Sequence, residues 1–131
     1  MPYVVKAAPV SDPAAELFSF DEKTMYGGNK VSAGDEIFIF SSDHQGGVGL
    51  VAKGVVTWAE RGPGIRVRIQ VRRTGSAQGS LGRRELAPFR ELTDGQPQTE
   101  LARHLYRQAT NKIAGISDHA AAFLRTYFPV G

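Results

Sequence analysis

The chain contains no cysteine. That excludes disulfides, thiolate metal sites and a cysteine nucleophile, and it suits a reducing compartment, so a cytoplasmic protein is expected. No apolar run approaches the roughly 20 residues a membrane helix needs, so no membrane partner is expected. The opening MPYVVKAAPVSDP lacks the charged start and long apolar segment of a secretory leader. There is no nucleophile elbow, no Walker loop and no Gly-x-Gly-x-x-Gly fingerprint opening a helix. The three histidines, His44, His104 and His119, share no ligand spacing, so neither a metal nor another cofactor is expected. Acidic residues are outnumbered 13 to 16 by Lys and Arg, a net charge of +3. So modest a basic excess favours a polyanionic partner only slightly.

What remains is an ordinary globular composition: 131 residues, 41% apolar and 22% charged. That is enough for one domain with one core, spanning 1–131. The chain is organised around Gly34 to Trp58, which reads as two strands joined by a Gly-rich connection. The first, Glu36 to Ser41, carries four consecutive bulky apolar residues, Ile37 to Phe40. The second, about Val48 to Trp58, is interrupted by Gly49 and Gly54, which mark bends, bulges or close backbone approaches. Such bends close a sheet into a small barrel.

Elsewhere, Pro2 to Lys6 reads as a first strand. Ser11-Asp12-Pro13 has the form of a helix start, predicting a helix through Phe18, with a loop from Asp21 to Ala33. Ile65 to Arg72 alternates, Ile65, Val67, Ile69 and Val71 on one face and Arg66, Arg68, Gln70 and Arg72 on the other: a half-buried antiparallel strand. Thr74 to Gly82 is flexible by composition, and a last strand is expected near Pro88-Phe89. Thr99 is positioned to cap a helix carrying Leu101, Leu105 and Ala109, with Arg103, His104 and Arg107 outward. Asn111 to Ile116 breaks it. Ser117 caps a second helix with Ala120, Phe123, Leu124 and Tyr127 as its apolar stripe, ended by Pro129. The sum is an α+β fold: a small, partly open β-barrel of five to six strands, with flanking helices packed on its ends.

The segment Asp35 to Val56 resembles the PUA-like superfamily, in particular its EVE and YTH branches. The matching residues are Gly34-Asp35, Ile37 to Ser41, Val48-Gly49-Leu50 and Gly54-Val55-Val56. Tyr3 to Lys6 with Pro9 is similar to the EVE opening strand, with Val4 where a Trp is usual. Asn111-Lys112-Ile113 before a capped helix is similar to the EVE closing segment. The resemblance implies a PUA-like barrel with a pocket beside the central hairpin that receives a flipped, often modified, nucleobase. By position, its candidates are Asn29, Ser41, Ser42, Asp43 and Trp58.

Each candidate has two physical readings. Trp58 can be a wall on which a base stacks, worth roughly 1–3 kcal/mol, or a core residue at the barrel end. Ser41, Ser42 and Asp43 can read a base edge or serve turn chemistry. Asn29 can donate and accept at a base edge or fill a turn. Arg66, Arg68 and Arg72, with Lys30 ahead of the hairpin, can bind phosphates, or the arginines can simply solvate a strand face; Arg73, Arg83 and Arg84 lie nearby in sequence. The expected function is a non-enzymatic module binding nucleic acid, RNA or DNA, alone or with a protein partner. The alternatives are a nucleic-acid-processing or nucleoside-modifying enzyme using Lys30, Asp43 and His44, or a small-molecule or protein-interaction domain using the same pocket.

Overall fold

The computed structural model describes residues 1–108 and 110–129. Its strands are β1 (Tyr3–Ala7), β2 (Leu17–Met25), β3 (Glu36–Ser41), β4 (Gly49–Arg61), β5 (Arg66–Ser76) and β6 (Lys112–Gly115). They form a closed barrel in the order β1-β3-β4-β5-β2-β6. The β1–β3 and β2–β6 pairs are parallel and the others antiparallel. Between β5 and β6 come two α-helices, α1 (Arg83–Leu86) and α2 (Pro97–Leu105), and α3 (Asp118–Arg125) follows β6. None of the described helices is long and apolar enough to cross a membrane.

Two cores explain the sequence pattern. Tyr3, Val5, Ile37, Ile39, Ala52, Val67, Ile69, Val71 and Ile113 fill the barrel. Val4, Phe38, Phe40 and Ala114 alternate with them and point outward, where they meet Leu101, Leu105, Ala120 and Leu124 of the helices. The helices therefore pack along the barrel wall, not on its ends. A strand covered on both faces is apolar throughout, which is why Ile37 to Phe40 does not alternate. β5 alternates because its outer face meets water, although Ile65, just before the strand, is exposed.

The glycines of β4 act by close approach. A Cβ on Gly54 would collide with the Arg72 carbonyl, and the β4–β5 register shifts at that point. Gly49 has φ +86°, and a side chain there would strike the Leu81 carbonyl. These contacts bend β4 around the barrel.

Several local expectations are overturned. Asp12-Pro13 starts a turn, not a helix: the Asp12 carboxylate accepts the Ala14 N–H at 3.0 Å. Capping chemistry and Asx-turn chemistry are the same chemistry. β2 then claims Leu17 to Met25, because Phe18 and Phe20 alternate into the barrel, so the expected loop begins only after Met25. Pro88-Phe89 lies in a 3-10 turn after α1, not in a strand. The last strand is instead β6, in the segment read as a break. Its four residues, all buried, carry too little pattern to show alone. Gln96 rather than Thr99 is the N-cap of α2, with Pro97 in its first turn. The Thr99 hydroxyl donates to Asp94 at 2.6 Å. Ala109 lies outside the described residues. Ser117 does cap α3, accepting the Ala120 N–H at 3.0 Å.

Candidate functional site

β3 ends at Ser41 and hands the chain to a short 3-10 turn, Asp43–Gln45, before β4. Leu81 forms a bridge to Gly49, which brings the start of α1 against this turn. Asp43 joins the two: one carboxylate oxygen accepts the Arg83 N–H at 3.0 Å, the other the Tyr106 hydroxyl at 2.9 Å. Beside that junction is an open groove of about 600 Å³, lined by Asp43, Arg83, Arg84, Ala87, Pro88 and Arg90. Among the described residues, none of these three arginines makes an ion pair with a carboxylate. Asp43 is the one acid in the lining. Each of its oxygens keeps a lone pair beyond the bond described.

Behind the groove lies a buried polar layer. Lys6 is 2% exposed; its ammonium donates to the Leu105 carbonyl at 2.8 Å and sits 4.9 Å from the centre of the Tyr106 ring. Burial lowers the Lys6 pKa, opposed in part by the Asp43 charge. Burial and then Asp43 raise that of Tyr106, which stays a neutral donor to Asp43. Lys112, beside Lys6 in the β1–β6 register, donates to the His104 carbonyl at 3.0 Å. Its pKa falls to about 8, first by burial and then by Lys6.

The residues singled out from the sequence do not form one pocket. Ser41 and Ser42 are buried, and the Ser42 hydroxyl bonds His44 Nδ1 at 2.9 Å, so neither serine faces a ligand. Asp43 alone of the three lines the groove. Asn29 and Lys30 are exposed in a 3-10 turn before β3, at the opposite end of that strand from Asp43. The acid–base trio of Lys30, Asp43 and His44 is therefore not assembled.

Trp58 is on the outer barrel face, neither core nor groove wall, and is 43% exposed. It lies nine positions beyond Gly49, the partner of Ser41, or about 30 Å of strand. There it lines a hollow of about 340 Å³ with Ser19, Arg68 and Gln70. Arg66 and Arg68 share this outer face and both turn to Asp21 of β2, at 3.1 and 4.0 Å. Arg72 is exposed on the same strand.

Arg90 and Tyr106 escaped sequence reading. The signal for the groove was RRELAPFR, where arginines alternate with Leu86 and Phe89 at helical spacing. A second cavity, of about 400 Å³, lies along α2, lined by Tyr26, Thr93, Gly95, Gln96, Thr99, Glu100, Arg103, His104 and Arg107. Tyr26 has φ +53°, the left-handed region, which costs a non-glycine residue on the order of 1–3 kcal/mol.

No protein-family model, curated protein or solved structure matches this chain.

Proposed function

We propose that this chain is a PUA-like module of the EVE type that binds nucleic acid without catalysing a reaction, and that its binding groove is the one beside Asp43. The observation that carries this reading is the trio Arg83, Arg84 and Arg90 around an open groove, without carboxylate partners among the described residues. Guanidinium groups left without acids bind phosphate oxygens, often two at a time. Ala87 and Pro88 give one unstacked base an apolar seat, and the free lone pairs of Asp43 accept from an exocyclic amine such as cytosine N4. Extruding a base costs a few kcal/mol, least for an unpaired, damaged or modified one, so single-stranded substrates are favoured. A chain without cysteine fits work in the cytoplasm.

Titration of fluorescent single-stranded oligonucleotides, plain and base-modified, at several salt concentrations tests this. Three phosphate contacts on a single strand predict a log–log salt slope of about −2. The double variant Arg84→Ala/Arg90→Ala should flatten it to about −0.7. Trp58→Ala, outside the groove, should leave affinity within about twofold. Binding that ignores salt, or that survives the double variant unchanged, would rule the groove out.

A further inference from the structure

The cavity along α2 has a different chemistry from the groove beside Asp43. At one end Tyr26 stacks on His104, ring centres 4.0 Å apart and planes 3° from parallel. Tyr26 is nevertheless 47% exposed and lines the cavity together with His104. The backbone holds it there in a left-handed conformation that tyrosine rarely adopts. His104 stands behind it, half-buried on α2; its Nδ1 is buried without a hydrogen-bond partner among the described residues, and burial lowers its pKa and so favours the neutral ring. Along the same wall stand two cations. Arg103 has no carboxylate partner among the described residues, and Arg107 meets Glu91 only at 3.9 Å, both side chains being well exposed. So long and exposed a pair is weak and readily exchanged for a better anion. Glu100, the acid of the lining, is turned to Ser117, whose N–H donates to it at 2.7 Å. The remaining wall, Thr93, Gly95 and Gln96, offers amide and hydroxyl groups.

We propose that this cavity is a second, separate ligand site that takes a nucleoside monophosphate, its base packed against the exposed Tyr26 ring and its phosphate held by Arg103 and Arg107. The volume falls within the range of small-ligand pockets. A planar base can pack against the exposed Tyr26 ring, and a phosphate matches the guanidinium forks. The proposal does not depend on the groove beside Asp43.

The test is calorimetric titration of the full chain with the four nucleoside 5′-monophosphates, the corresponding nucleosides and inorganic phosphate. It is combined with NMR of the histidine rings, of which there are three. At least one monophosphate should bind ten times or more tighter than its nucleoside or phosphate alone, and the His104 signals should move while the Trp58 indole signal does not. Tyr26→Gly keeps the left-handed backbone and removes the ring. It should stay folded by thermal melting and weaken binding at least tenfold, while Tyr26→Phe retains it. Arg103→Glu/Arg107→Glu should abolish the advantage of the monophosphate over the nucleoside. Arg84→Ala/Arg90→Ala should leave monophosphate binding intact, so loss of the oligonucleotide groove and loss of this site are told apart. Equal binding of monophosphate and inorganic phosphate, a stationary His104 signal, or unaltered binding by Tyr26→Gly would overturn the proposal.

Discussion

Lys6 and Lys112 face each other across the β1–β6 register, each almost wholly buried. Such a pair is costly unless something compensates. Here the compensation is the C-terminus of α2 and the chain just after it: Lys6 takes the Leu105 carbonyl, and Lys112 those of His104 and, beyond the helix, Gln108. The last carbonyls of a helix carry partial negative charge and favour cations. Desolvation still dominates at Lys112, whose folded pKa of about 8 is below its unfolded value. The unfolded chain therefore binds more protons between about pH 8 and 10.5, and stability should rise with pH across that window, by at most about 1.4 kcal/mol per unit. Urea denaturation of wild type and Lys112→Met at pH 7.5, 8.5 and 9.5 checks this: the wild-type rise should be larger than that of the variant. Nothing in YVVK or NKI announces buried lysines. A charged residue at a strand end reads as solvated until the helix that covers it is known.

At the scale of elements, legibility followed burial. β3 was readable to the residue because two covered faces leave an unbroken apolar run; α3 was readable at its start, from Ser117, Asp118 and the Ala120–Leu124 stripe, but it stops at Arg125 and not at Pro129. β2 was misread because Ser11-Asp12-Pro13 serves equally well as a turn. β6 was missed because four residues closing a barrel need no pattern of their own; their partners supply the pairing. The site was less legible than the fold. Asp43 and the arginines after Leu81 meet only because Gly49 lets Leu81 approach. Trp58 went to another face because its strand outruns the hairpin. Ser117→Ala should cost about 1 kcal/mol as a lost cap. Its hydroxyl also bonds Glu100 of α2, so the loss read from urea midpoints should exceed that of Thr126→Ala, whose hydroxyl bonds only its own helix among the described residues.

For the whole molecule, the ring of strands leaves no free sheet edge among those described. β6 is the shortest strand but is paired on both sides, with β1 and β2, and lies between the two cores. It should therefore open only with the entire barrel. Native-state hydrogen exchange at Ile113 and Ala114 should report the same free energy as β3, and a markedly lower value would show that the barrel unzips locally there. The pairing of β1 with a strand about a hundred residues later has a kinetic meaning as well. Long-range closure of this kind slows folding. Until the segment near residue 115 is available, the edge of β1 that pairs with β6 stays open. A nascent chain stalled before that point is a natural client for a chaperone.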